Sequence, residues 1–177
     1  GPDRAWLDEF LAAYGRDVHL PFYVTSRPEL LDDGTVERLA AASCRMLFLS
    51  VETGSERLRH SVLNKSARTR DFRRVAASAH AHGLPIAINN LFGIPGERLA
   101  DAVETIRLNQ ELKPEKLMNA MLTFFPELPV TARAIRDGLL DPAEAVKPRH
   151  PYGLGRSPLD QPEIGAVQNL HRLSYIA

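Results

Sequence analysis

Two periodicities alternate along the chain, one typical of amphipathic helices and one typical of buried strands. Apolar residues recur at helical spacing in residues 4–14, 29–43, 69–83, 96–112 and 130–138. Shorter apolar runs of strand length occupy residues 17–27, 44–52, 84–93 and 116–125. Pro21 lies inside the first of these runs and argues against a central place in a sheet. Strands separated by helices in this order predict right-handed βαβ units and a parallel sheet.

The C-terminal part of the chain has a different pattern. Residues 139–161 carry several prolines and glycines and predict an irregular surface segment. An amphipathic helix is predicted to begin near Pro162 and to continue to the end of the chain. The apolar stripe of this helix consists of Ile164, Val167 and Leu170.

Composition and charge argue against several functional classes. The chain has 22 basic and 22 acidic side chains and no net charge, unlike a polybasic nucleic-acid binder or a membrane-surface protein. No apolar run approaches the roughly 20 residues of a membrane-spanning helix, and no signal-peptide pattern is present, so a cytoplasmic protein is expected. The single cysteine, Cys44, is predicted to be buried and forms no intrachain disulfide or multi-cysteine site. The scattered histidines form no metal-ligand spacing.

Polar or glycine-rich residues follow every predicted strand, at residues 25–29, 51–56, 89–97 and 124–131. In parallel sheets and barrels, ligands bind at the carboxyl ends of the strands. Glu52 follows a mostly apolar strand, and its carboxylate can accept two hydrogen bonds there, for example from a ribose diol or an amine. A solvated loop acid, or a residue that supports the start of the next helix, has the same pattern.

Three further features at these ends can bind a ligand. The turn Gly93–Glu97 lies between the end of a strand and the start of a helix, so its backbone N–H groups are expected to face the ligand side. A tight turn without function has the same pattern. Lys65 lies between two predicted helices, where it can hold a ligand carboxylate or be solvated. Asn89 and Asn90 are adjacent in a strand, so one faces the ligand side and needs a hydrogen-bond partner there.

Two long runs match a family pattern in both order and spacing. These runs are SCRMLFLSVETGSERLRHSVLNKSARTRDF and HAHGLPIAINNLFGIPGERLADAVETIRLNQELKPEKLMNAMLTFFP. They resemble two consecutive blocks of radical S-adenosylmethionine enzymes, and the resemblance covers residues 17–138. The subgroup with an N-terminal cobalamin-binding domain is the most similar, because LPFYVTSRPELLD and the proline-rich tail recur there.

The resemblance implies an α/β fold, a partial parallel (β/α) barrel related to the TIM barrel. Residues 1–138 would supply the C-terminal two-thirds of that barrel with about four strands, and residues 139–177 a proline-rich segment and a C-terminal helix. The family holds a [4Fe–4S] cluster through three thiolates of a CxxxCxxC loop, which this sequence lacks. A missing N-terminal part of the same polypeptide is therefore expected to carry the cluster, and the isolated chain is expected to be inactive.

The implied activity is that of an enzyme that binds S-adenosylmethionine. It would cleave this cofactor to a 5′-deoxyadenosyl radical or transfer its methyl group, with a cobalamin bound by the missing N-terminal domain. The substrate is expected to be a small molecule. The sequence leaves its identity open, and methyl transfer, ring rearrangement and oxidation are all compatible with the resemblance.

The resemblance also assigns cofactor contacts, which fall on Glu52, Ser55, Lys65, Asn90, Gly93, Ile94, Gly96 and Glu97. Glu52 and Ser55 correspond to positions near the ribose and the methionine moiety. Lys65 corresponds to a cation that binds the methionine carboxylate, and Asn90 to a polar residue that reaches the ribose. The backbone of the Gly93–Glu97 turn corresponds to a surface that lies against the adenine.

Some positions depart from the family pattern. Ser50 and Thr53 replace the usual glycine and serine, and Val130 replaces a glycine. Lys65 replaces the usual arginine, which keeps the charge and loses the bidentate geometry.

Two other interpretations stay open at this point. A non-catalytic α/β module could use the Gly93–Glu97 turn to bind a nucleotide or a phosphate. A flavodoxin-like doubly wound sheet has the same alternation of strands and helices. Strand order distinguishes the two folds, because a barrel keeps sequential strands adjacent whereas a doubly wound sheet reverses direction partway.

Overall fold

A computed structural model describes residues 4–147 and 155–174, so Pro148 and Pro151 of the expected irregular segment lie outside the described residues. The strands are β1 (Phe22–Ser26), β2 (Cys44–Glu52), β3 (Ile86–Phe92) and β4 (Lys116–Met121). The first four helices are α1 (Arg4–Asp17), α2 (Asp33–Ala41), α3 (Glu56–Ser61) and α4 (Thr69–Ala81). The others are α5 (Leu99–Leu112), α6 (Pro129–Arg136), α7 (Pro142–Ala145) and α8 (Ile164–Leu173).

The four strands form one parallel sheet in the order β1-β2-β3-β4, and the described residues do not close it into a barrel. Strands β1 and β2 pair in parallel, with Val24 opposite Leu47 and Ser26 opposite Leu49. Sequential neighbours are therefore adjacent throughout, as predicted for a partial barrel. This order rules out the doubly wound alternative for the described strands, because such a sheet would place two non-sequential strands side by side.

Backbone chemistry explains where the elements differ from their predicted bounds. Strand β1 begins directly after Pro21, which lacks the N–H that a ladder needs. Helix α1 continues through Gly15 to Asp17 instead of ending at the glycine. Helix α2 begins at Asp33 because the carboxylate of Asp32 accepts a hydrogen bond from the backbone N–H of Thr35. Helix α8 ends at Leu173.

The chain divides into two compact units, and the first comprises Gly1–Ser50, Ala67–Ile88 and Asn109–Lys116. Helix α2 packs against α4, and α1 packs against α2. Helix α2 buries Val36 and Leu39, whereas α1 buries Leu11 and leaves Trp6 and Phe10 exposed. Cys44 is buried at the start of β2, as predicted. Its position among apolar neighbours raises the pKa of its thiol through desolvation, which fits a packing role.

The second unit comprises Val51–Ser66, Asn89–Leu108 and Leu117–Ala177. One of its clusters joins Phe92, Ala102, Met121 and Val167, so α8 and α5 cover the same side of β3 and β4. A second cluster joins Phe124, Ala134, Leu140, Ala145 and Leu159. Leu140, Ala145, Leu159 and Val167 thus pack with residues before 138, and the sequence boundary at residue 138 stays a prediction.

No helix within residues 4–147 and 155–174 has the length and hydropathy needed to cross a membrane.

Candidate functional site

Two of the predicted site residues, Glu52 and Lys65, lie together at the carboxyl end of β2. The Nζ of Lys65 is 3.1 Å from Oε1 of Glu52, with the glutamate side chain 13% exposed and the lysine side chain 46% exposed. Glu52 has a φ of 65°, a left-handed conformation that is uncommon for a residue with a side chain. Such backbone strain persists where the surrounding structure holds it, and it is concentrated at functional sites.

Helix α5 holds the segment that follows Glu52. The hydroxyl of Thr105 accepts a hydrogen bond from the backbone N–H of Gly54 at 2.8 Å. The carboxylate of Asp101 accepts one from the hydroxyl of Ser55 at 2.7 Å and one from the guanidinium of Arg57 at 2.7 Å. Ser55 is buried and its hydroxyl forms this link, and its contact with a cofactor stays a prediction.

Asp101 is held in its charged form by this network. Burial by itself raises the pKa of Asp101, but hydrogen bonds from Ser55 and the Arg98 backbone and the charge of Arg57 outweigh burial and lower it. Asp101 and Thr105 thus hold the segment after Glu52, and the motif analysis did not single them out. The spacing of four residues, which puts both on one face of a helix, was the available signal.

Arg59 is a third residue that the sequence did not single out. Its side chain is fully buried, and its guanidinium donates to the carbonyl oxygens of Thr53 at 2.7 Å and Gly54 at 3.4 Å. A buried guanidinium that binds two consecutive carbonyls holds the backbone of this turn. The chain after Glu52 is therefore held on two sides, by Arg59 and by α5.

The Gly93–Glu97 turn is closed by its own glutamate. One carboxylate oxygen of Glu97 accepts hydrogen bonds from the backbone N–H groups of Gly93 at 2.6 Å and Ile94 at 3.1 Å. Glu97 is 1% exposed, and burial raises its pKa to about 7 although these two hydrogen bonds lower it. Ile94 is buried against Leu58 and Val62.

The remaining backbone donors of this region are also occupied. Gly96 donates to the side chain of Gln161 at 2.8 Å, Arg98 to Asp101 at 3.0 Å, and Leu99 to Glu163 at 3.1 Å. The expectation that these N–H groups face a ligand is therefore wrong. A phosphate needs free backbone N–H donors, and here carboxylates and an amide already accept from these donors. The turn therefore does not support the interpretation as a phosphate-binding module.

Gly93 and Gly96 have different roles in the turn, and both have a positive φ. A Cβ atom at Gly93 would lie 2.6 Å from the terminal methyl of the flexible Met121 side chain and 3.2 Å from the Ser157 oxygen, so the positive φ is the main reason for a glycine there. A side chain at Gly96 would meet nothing within 4 Å. Within residues 93–97 it is Gly96 that is exposed, so this position is where a ligand can reach the turn.

Of the two adjacent asparagines in β3, Asn90 is buried and Asn89 is half-buried. The amide of Asn90 donates to Asn119 at 2.8 Å, and Asn119 donates to Ser174 at 2.8 Å, so Asn90 belongs to a buried network beside α8. Side chains alternate between the faces of a strand, so Asn89 lies on the opposite face. The amide oxygens of both residues have no hydrogen-bond partner among the described residues, and the contact of Asn90 with a ribose stays a prediction.

Among residues 4–147 and 155–174, no cluster of His, Cys, Asp and Glu side chains is arranged to hold a metal ion.

Comparisons with known proteins agree with this fold. A model of the Radical SAM superfamily matches residues 3–108, more than half of the chain. No curated protein sequence is similar enough to count as a match.

Three solved structures are similar in fold. The first is the radical S-adenosylmethionine methyltransferase TsrM from Kitasatospora setae, solved with cobalamin and a [4Fe–4S] cluster bound, with a TM-score of 0.65 and 19% identity over 75% of this chain and 25% of that one. The second is coproporphyrinogen III oxidase HemN from Escherichia coli, a radical SAM enzyme, with a TM-score of 0.68 and 13% identity over 99% of this chain and 37% of that one. The third is Elp3 from Methanocaldococcus infernus, with a TM-score of 0.59 and 14% identity over 89% of this chain and 41% of that one. At these identities the likeness shows the fold, and the chain spans well under half of each neighbour's length. The matched family model, together with the sequential parallel sheet, establishes that this chain belongs to the radical SAM superfamily.

Proposed function

We propose that this chain is the part of a radical SAM enzyme that binds the methionine and adenosine moieties of S-adenosylmethionine. The observation that carries this proposal is the ion pair of Glu52 and Lys65 at the carboxyl end of β2. The methionine moiety has an α-ammonium and an α-carboxylate. A carboxylate and an ammonium side by side match this pair of charges, Glu52 accepting from the amine and Lys65 binding the carboxylate.

Two further features fit the adenosine moiety. Among the described residues, the amide oxygen of Asn89 has no hydrogen-bond partner, and it can accept from a ribose hydroxyl. Gly96 is exposed and has open space above it, which leaves room for a flat adenine ring against the turn. In this proposal Ile94 and Glu97 hold the backbone and do not touch the cofactor.

This sequence does not supply the ligands of the [4Fe–4S] cluster. Cys44, the single cysteine, is buried at the start of β2, whereas a cluster needs three thiolates. We propose that residues outside this sequence carry the cluster. The likeness to TsrM, solved with cobalamin bound, supports a cobalamin-dependent enzyme acting on a small molecule. In that enzyme the bound S-adenosylmethionine supplies a 5′-deoxyadenosyl radical or a methyl group.

Replacing Glu52 or Lys65 by alanine is expected to weaken cofactor binding. Each variant loses a charge-assisted hydrogen bond, so the dissociation constant for S-adenosylhomocysteine should rise by about 10- to 100-fold. The measurement is calorimetric titration of the full-length protein after reconstitution with iron and sulfide.

Glu111→Ala is the matched control. It breaks an ion pair of similar geometry, with Arg73 2.6 Å from Glu111, and should leave the affinity unchanged. Unchanged affinity in both Glu52→Ala and Lys65→Ala would show that the ion pair does not bind the cofactor. Formation of 5′-deoxyadenosine or of a methylated product by the wild-type protein tests the reaction itself.

A further inference from the structure

The turn that carries Gly96 is bound by a side chain from far along the chain. Gln161 is 7% exposed, and its amide nitrogen donates to the carbonyl oxygens of Ile94 at 3.1 Å and Glu97 at 3.3 Å. Its amide oxygen accepts from the backbone N–H of Gly96 at 2.8 Å. One side chain thus forms three hydrogen bonds to the backbone of a single turn.

The residues beside Gln161 contact the same region. The carboxylate of Glu163 accepts from the backbone N–H of Leu99, where α5 begins, and Glu163 itself has a φ of 63°. The side-chain oxygen of Ser157 lies 3.2 Å from the position that a Cβ atom on Gly93 would take. Ser157, Gln161 and Glu163 therefore line one side of the turn from Gly93 to Leu99.

These contacts matter because they bind the backbone N–H that the carboxylate of Glu97 leaves unbound, beside a Gly96 carbonyl that accepts from the guanidinium of Arg57 at 3.2 Å. Gly93 and Gly96 both have positive φ values, and glycine is the residue with the largest conformational freedom. Inside the turn, the carboxylate of Glu97 binds the N–H groups of Gly93 and Ile94. It does not bind Gly96, whose N–H is bound by Gln161.

We propose that Gln161 is a positioning residue that fixes the Gly96 backbone for the cofactor, an inference that rests on the proposed function. Gln161 lies outside residues 3–108, which match the family model. It acts through the turn and does not touch the cofactor. The C-terminal segment is thereby part of the cofactor site and not only an extension of the fold.

The test uses the full-length protein with the substitution Gln161→Met. Methionine has a similar shape and lacks the amide, so all three hydrogen bonds are lost with little change in volume. Amide hydrogen exchange at Gly96 is expected to speed up by about tenfold or more, because its acceptor is gone. The dissociation constant for S-adenosylhomocysteine is expected to rise by about tenfold.

Two control variants separate positioning from general stability. Leu159→Val removes volume from the cluster that contains Phe124 and Ala134, so it should lower the melting temperature and leave the affinity unchanged. Asp160→Asn, at an exposed neighbour of Gln161, should change neither quantity.

The outcomes are distinguishable. If the wild-type protein fails to bind S-adenosylhomocysteine, the proposed function falls, and the role of Gln161 falls with it. If the wild-type protein binds and Gln161→Met binds equally well, the proposed function stands and the role of Gln161 is overturned. Weaker binding in Gln161→Met with unchanged exchange at Gly96 also overturns it, because the effect would not act through the turn.

Discussion

Replacing Gly54 by alanine is expected to lower the free energy of unfolding by about 3 kcal/mol or more. A methyl group at Gly54 would lie 2.5 Å from the backbone carbonyl oxygen of Glu104 and 2.5 Å from the amide nitrogen of Thr105. Both atoms belong to the backbone of α5 and cannot rotate away as a flexible side chain would. The collision would also separate the Gly54 N–H from the Thr105 hydroxyl, which are 2.8 Å apart. Chemical denaturation followed by circular dichroism measures the loss.

The same substitution at Gly15 is the matched control. Gly15 lies within α1, and a side chain there would meet nothing within 4 Å. Alanine is favoured over glycine in a helix interior by about 0.5–1 kcal/mol, so Gly15→Ala should raise the free energy of unfolding by that amount. Equal stabilities of the wild type and Gly54→Ala would mean that α5 does not pack closely against the turn after Glu52.

The free energy of unfolding is expected to fall by about 3 kcal/mol between pH 4.5 and pH 8 through the titration of Glu97. The pKa of Glu97 is raised by burial to about 7, whereas an exposed glutamate has an ordinary value of 4.5. The folded state therefore binds a proton over a pH range in which the unfolded state has lost it. The resulting stabilisation is complete below pH 4.5 and is lost as the pH rises through 7.

Glu97→Gln isolates this contribution, because glutamine does not titrate and keeps an acceptor for the N–H groups of Gly93 and Ile94. From pH 4.5 to pH 8, the free energy of unfolding of Glu97→Gln should rise by about 3 kcal/mol relative to that of the wild type, because only the wild type loses the contribution of Glu97. Glu104→Gln, at an exposed position of α5, should show the pH dependence of the wild type. If the free energies of unfolding of Glu97→Gln and the wild type changed equally with pH, the pKa of Glu97 would not be raised in the folded state.

The titration of His171 affects stability with the opposite sign. Burial lowers the pKa of His171, so its neutral form is favoured in the folded state and its contribution to stability grows as the pH rises. This contribution is common to the wild type and to the Glu97→Gln variant. Comparing the two proteins at each pH therefore cancels the contribution of His171.

Most of the fold could be predicted from local patterns. The periods of apolar residues located the four strands, and the helices expected along the chain are present. These local patterns predicted the elements because a residue's burial in a strand or helix follows from its immediate neighbours in sequence. The family pattern also located Glu52 at the end of a strand, and the structure pairs it with Lys65.

The candidate site was only partly predictable. Asn89 and Asn90 are chemically identical, and the choice between them depends on which face of β3 is covered by α5 and α8. The N–H groups of the Gly93–Glu97 turn looked free in the sequence, because nothing local shows that a side chain from residue 161 binds one of them. Likewise, nothing in the sequence around Ser55 indicated that its hydroxyl donates a hydrogen bond to the carboxylate of Asp101.

The amino-acid sequence alone thus determined the alternation of strands and helices, the family and the acid at the end of β2. Tertiary structure decided which polar groups stay available for a ligand. The physical reason is the range of the interactions. Periodicity is set within a few residues, whereas the partners of Ser55 and Gly96 lie 46 and 65 residues away along the chain. Packing alone brings such groups within hydrogen-bond distance, and the donors and acceptors it satisfies no longer serve a ligand.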